Sequence, residues 1–128
     1  MTVMRRFVVL ITLAIAALAA TAPVAQAKLS VTLHATTHNP TAGKKWPITI
    51  TAQDGNKKVC GHVRYAFLFK GKVVSHQNAG VGGNFCGTFK DPAIIWPKRA
   101  IGIPLTFRAI VDMKSGQRNL DYAVKVRR

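Results

Sequence analysis

Five stretches of this chain alternate apolar and polar residues with a period of two. Leu29, Val31, Leu33 and Ala35 alternate with Ser30, Thr32 and His34, and Ile48, Ile50 and Ala52 with Thr49, Thr51 and Gln53. Val63, Tyr65, Phe67 and Phe69 keep the same rule, as do Leu105, Phe107, Ala109 and Val111, and Leu120, Tyr122, Val124 and Val126. Successive strand side chains point to opposite faces, so each stretch reads as a strand with one face in a core and the other outward. No stretch after Ala27 carries the 3.6-residue period of an amphipathic helix.

Turn chemistry divides the strands. Asn39-Pro40-Thr41-Ala42-Gly43 ends the first, Asp54-Gly55-Asn56 the second, and Lys114-Ser115-Gly116-Gln117 joins the last two. Lys70-Gly71-Lys72 suits a tight hairpin, because glycine tolerates positive φ. Gly80-Val81-Gly82-Gly83 reads as a flexible crossing. Shorter strands are expected over residues 73–76, 84–90 and 93–95. Pro47, Pro92, Pro97 and Pro104 fit strand starts or edges. About seven strands with turns at regular spacing fit two sheets packed face to face, an all-β single domain.

The segments Trp46-Pro47-Ile48-Thr49-Ile50-Thr51-Ala52 and Gly102-Ile103-Pro104-Leu105-Thr106-Phe107-Arg108-Ala109 resemble the B and F strands of small exported sandwich domains. The chain thus resembles an immunoglobulin-like or fibronectin-III-like β-sandwich domain of a small secreted protein. It departs from the immunoglobulin pattern in its cysteines: Cys60 precedes the third long strand and Cys86 lies mid-chain. That strand also offers Tyr65, Phe67 and Phe69 in place of a tryptophan. Such a fold hosts many functions, so the resemblance assigns none.

The N-terminus reads as an address. Arg5 and Arg6 precede an apolar run over residues 7–20, and Ala25-Gln26-Ala27 supplies small residues for cleavage. These are the three parts of a helical secretory signal peptide, expected to be cut after Ala27. An uncleaved signal anchor is the alternative, although a membrane span needs roughly 20 residues. The expected domains are therefore a signal peptide, 1–27, and a sandwich, 28–128. The protein is expected to be secreted or extracytoplasmic, at the cell surface or in the periplasm, with no transmembrane segment after cleavage. Export favours a disulfide between Cys60 and Cys86 over a pair of reduced, metal-ligating thiols. Closing that loop of about 27 residues stabilises a fold by roughly 3–4 kcal/mol.

Few residues point to catalysis. Ser30, Ser75 and Ser115 stand in no nucleophile-elbow motif, and Ser75 and His76 point to opposite faces. Cys60 and His62 share a face, but a disulfide removes the thiol. No enzyme and no cofactor are expected. His34, His38 and His62 raise an alternative, an extracytoplasmic copper-binding protein, against which they are ordinary surface histidines. Trp46 and Trp96 fit the ends of a sandwich core better than a sugar-stacking platform. The glycines at 80–83 lack the strand–loop–helix context of a phosphate cradle.

Charge is the strongest functional signal. The whole chain has 19 basic and 4 acidic residues, and all four acids are aspartates. Removing residues 1–27 leaves 17 basic residues and a net charge of +13. So few acids disfavour a calcium cage or a glycosidase pair. In a sandwich whose third and last two long strands share a sheet, Arg64, Lys70, Arg108, Lys125 and Arg127 fall on one outer face, with Leu68, Ile110 and Ala123 among them. Arg64, Arg108, Lys125 and Arg127, with Lys70 and Lys72 at the rim, are the expected docking residues. The expected partner is an anionic cell-surface polymer, a lipid headgroup or an acidic protein. Nucleic acid would be held without sequence preference. A charge this high also opposes self-association, so a monomer is expected.

Overall fold

Each alternating stretch becomes a long strand, because the period-two pattern leaves one face that only a facing sheet can cover. A computed structural model describes residues 28–128; the expected signal segment, 1–27, lies outside the described residues. The strands are β1 (Leu29–Ala35), β2 (Ile48–Asp54), β3 (Lys57–Lys58), β4 (Cys60–Phe69), β5 (Lys72–Asn78), β6 (Asn84–Cys86), β7 (Thr88–Asp91), β8 (Pro104–Met113) and β9 (Gly116–Lys125). Strand pairings are antiparallel throughout. One sheet joins β1, β2, β3 and β7; the other runs β5-β4-β8-β9, with β6 also on β4. The described residues form an all-β sandwich of two antiparallel sheets.

The apolar phase of each strand meets between the layers. Val31, Ala35, Ile48, Ile50, Ala52 and Phe89 come from one sheet, and Val63, Tyr65, Phe107, Ala109, Val111 and Val124 from the other. Trp46 and Trp96 close one end of this core, 1% and 3% exposed. Their rings meet edge to face at 5.5 Å, and Trp46 also stands edge-on to Phe107 at 5.3 Å. Such aromatic pairs contribute about 0.5–1.5 kcal/mol beyond area burial. The tryptophans are core plugs, which removes them as an open sugar platform.

Three details differ from the sequence reading. The strand expected over 84–90 is two strands in different sheets: β6 pairs β4, whereas β7 pairs β2. The break falls at Gly87, whose φ of 80° no ordinary strand residue adopts. The expected strand at 93–95 is reduced to a single bridge between Lys45 and Ile95. The crossing at 80–83 is tighter than a flexible loop. Gly83 is buried, and its carbonyl accepts from the Val63 amide at 2.9 Å. A Cβ there would collide with the Val63 carbonyl oxygen and the His62 ring.

The hairpin expected at Lys70-Gly71 is present, with both residues at positive φ, 52° and 79°. Two left-handed residues give a two-residue turn the twist of its flanking strands. Cys60 and Cys86 lie directly opposite across β4 and β6 and form a disulfide.

Candidate functional site

The outer face of the β5-β4-β8-β9 sheet tests the expected docking surface first. Alternation places Arg64 on β4, Arg108 on β8 and Lys125 on β9 on that face, as expected. The same alternation places Asp112 and Asp121 there too. Arg64 donates through Nε to Asp112 at 3.2 Å. Arg108 grips Asp121 with two hydrogen bonds, Nε at 2.7 Å and an Nη at 2.9 Å. That fork holds the Asp121 carboxyl below its ordinary range and raises the Arg108 guanidinium; the hydrogen bond is the largest cause of both shifts. Arg64 and Arg108 are therefore not free cations. The apolar centre is also closed: Ala66, Leu68 and Ile110 form a small second cluster, 0–7% exposed. Ile110 lies opposite Arg64 and Ala66 opposite Arg108, so the guanidinium stems flank this island. Ala123 is exposed at its margin.

Lys125, the last residue of β9, joins the remaining expected cations at one end of the sandwich. Backbone bridges join Thr41 to Arg127, Lys45 to Ile95 and Ile101 to Val126. The Ala42 amide donates to the Arg127 carbonyl, Gly43 to Trp96 and Gly102 to Val126, each at 2.9 Å. Three separate stretches thereby meet at the tryptophan end of the sandwich. They carry Lys44 and Lys45, Lys98 and Arg99, and Lys125, Arg127 and Arg128. The sheet register brings the Lys70-Gly71-Lys72 hairpin to the same end, since Leu68 faces Thr106, Thr106 faces Ala123 and Pro104 faces Lys125. None of the four aspartates lies in these segments. An open hollow of about 550 Å³ sits among them, lined by Ala42, Ile101, Lys98 and Arg128. Lys44, Lys45, Lys98, Arg99 and Arg128 were not singled out from sequence; they adjoin only through non-local bridges.

A second concavity opens on the side of the sandwich, a cleft of about 630 Å³. One wall is the edge strand β5 with Val74, Ser75 and Gln77; the other is the segment from Ala93 to Ala100. Tyr65, Phe67 and Trp96 line its interior. Asp91 lies beside it, 3% exposed, with both oxygens engaged. Its Oδ2 accepts from the Tyr65 hydroxyl at 2.6 Å and its Oδ1 from the Ala93 amide at 3.0 Å. Burial first, then this bond to a carboxylate, pushes the Tyr65 phenol far above its ordinary value. The Trp96 Nε1 is buried without a protein partner.

The histidines do not converge. His34 is exposed on β1, opposite Thr49. His38 stacks on Tyr122 at 4.0 Å and bonds the Ala123 carbonyl through Nδ1. His62 bonds Asn84, beside the disulfide. Among the described residues, no three histidine, cysteine or carboxylate side chains are grouped to hold a metal.

The fold is similar to that of a sporulation control protein. This is Spo0M of Bacillus subtilis, with a TM-score of 0.50 and 11% identity over 82% of this chain. The match covers 51% of Spo0M, so this chain spans about half of that protein's length. At that identity the likeness concerns the fold alone. No protein-family model and no curated protein matches the sequence. Among the described residues, no helix is long and apolar enough to cross a membrane.

Proposed function

We propose that this chain is a non-catalytic exported β-sandwich that adheres to an anionic surface through the basic tryptophan end of the fold. The carrying observation is the meeting of three bridged segments and one hairpin, all basic and free of aspartate, at that end. Four of the six cations expected from sequence belong to it: Lys70, Lys72, Lys125 and Arg127. Arg64 and Arg108, already paired with aspartates, shape the neighbouring face instead. Clustered charge without counter-charge raises the local potential and draws polyanions toward one pole of the molecule. The open hollow lined by Lys98, Arg128, Ala42 and Ile101 puts two cations beside one place for a single anionic group, such as a phosphodiester or headgroup phosphate. Export is supported by the three-part pattern of residues 1–27 and by the Cys60–Cys86 disulfide, a bond of oxidising compartments.

The test removes equal charge from opposite ends. One variant carries Lys98→Gln, Lys125→Gln, Arg127→Gln and Arg128→Gln. The other carries Lys57→Gln, Lys58→Gln, Lys114→Gln and Arg118→Gln. Retention on dextran sulfate and on phosphatidylglycerol vesicles is measured across a salt gradient. The first variant is expected to elute at clearly lower salt than the second. Identical elution would reduce the binding to overall charge and overturn the assignment to this end.

A further inference from the structure

The side cleft shares Arg99 with the basic end but is otherwise apolar at its mouth, and the four substitutions that test adhesion leave it intact. We infer that it binds one single-chain anionic amphiphile of the long-chain carboxylate type. The alkyl chain lies over Phe67 and between Val74, Val81 and Ile95, and the head group meets Arg99.

Size comes first: about 630 Å³ falls within the roughly 300–1,000 Å³ of small-molecule sites. The mouth is apolar. Val74, Val81 and Ile95 are 59%, 54% and 54% exposed, and they are three of the five exposed large hydrophobics among the described residues. Single exposed apolar residues are ordinary, but three around one cleft mark a surface that something covers. The interior offers a polar ligand few partners: apart from the Trp96 Nε1, its buried polar side-chain groups are spent. Tyr65 already donates its proton to Asp91, and both carboxylate oxygens are engaged. Charge decides the head. Arg99 is the one cation lining the cleft, and Asp91 is occupied. A molecule whose described residues carry a net charge of +13 repels a cationic head and attracts an anionic one.

An extended peptide added to the free edge of β5 is the rival occupant. The edge itself argues against it. Phe67 faces Ser75 and Leu68 faces Val73, so Val74 is an unmatched residue that interrupts the strand's regular hydrogen-bond row. Bulges of this kind spoil an edge for strand addition. Here the bulged residue is one that lines the cleft.

The probe is cis-parinaric acid, which fluoresces when shielded from water, titrated into the purified protein in 0.5 M sodium chloride. Expected are saturation at one probe per protein and displacement by palmitate. Val74→Asn with Ile95→Asn should weaken binding at least tenfold. Both residues are exposed, so the urea midpoint should hold. Arg99→Gln should weaken palmitate several-fold while leaving hexadecanol unchanged. Non-saturable binding, or full affinity in the Val74/Ile95 variant, overturns the proposal. So does capture of an extended apolar peptide without parinarate binding. Binding to phosphatidylglycerol vesicles alone, with no uptake of free parinarate, also overturns it and leaves only the basic end. Adhesion fades in high salt whereas chain burial persists, so the two readings fail separately.

Discussion

Asp91 is the aspartate withdrawn from water, and Tyr65 is what makes that position tolerable. A buried carboxylate oxygen without a donor costs its desolvation, about 1–3 kcal/mol. Tyr65→Phe removes the donor and keeps the ring packed against Phe107 at 5.0 Å. The expected result is a loss of about 1–3 kcal/mol, read as a lower urea midpoint at unchanged slope. An unshifted midpoint would mean that the hydroxyl is dispensable. Half of this pair is visible in sequence: Tyr65 sits on the apolar phase of its strand. Asp91 shares the phase of Phe89, a signal that could have marked it as inward, but its partner lies 26 residues away. The Arg64–Asp112 and Arg108–Asp121 pairs teach the same limit. Parity puts all four side chains on one face, and only the register says that they meet. The depressed Asp121 carboxyl also fixes a sign. Its contribution is present above the ordinary carboxylate range and fades as pH falls through the lowered folded value. Side-chain exposure of 46% keeps that contribution small.

Strand β6 shows what elements add to residues. It is three residues long, pairs only with Cys60–His62 at the start of β4, and is joined to Thr88 and β7 through Gly87. So short a strand has too few ladder bonds to hold its place, and the disulfide supplies what pairing lacks. Cys60→Ala with Cys86→Ala should lower stability by about 2–4 kcal/mol. The loss should also be local. Amide exchange at Phe85 and Val63, whose N–H bonds Gly83, should quicken more than at Phe107 and Ala109 in the centre of β8. Uniform acceleration along the chain would sink the view that the bond acts as a clip on β6. The five long strands, seven to ten residues each, were legible because one face of each repeats apolar residues at every second position, even where Ala66, Leu68 and Ile110 make the other face apolar too. The partition of 84–91 between two sheets was not. Thr88 to Asp91 keeps an alternating pattern, so only a backbone angle at Gly87 separates it from what precedes.

At the scale of the molecule, charge acts on folding and binding in opposite directions. The described residues carry 17 cations against four aspartates, and two salt bridges are all that join them. Those pairs are partly exposed, so salt has little attraction to screen away. The repulsion among the remaining cations is larger and acts over the whole surface. Raising ionic strength from 0.01 M to 0.1 M shortens the screening length from about 30 Å to about 10 Å, which mutes repulsion between distant groups. The melting temperature should therefore rise by several degrees between 10 mM and 300 mM sodium chloride. Affinity for an anionic surface should fall steeply over the same range, as released counterions lose their advantage. At low salt a polyanion should replace the salt, stabilising the folded state by binding it in preference to the unfolded one. Calorimetry at 10 mM salt with and without dextran sulfate checks both halves. A melting temperature that falls with added chloride would mean that attractive pairs outweigh repulsion.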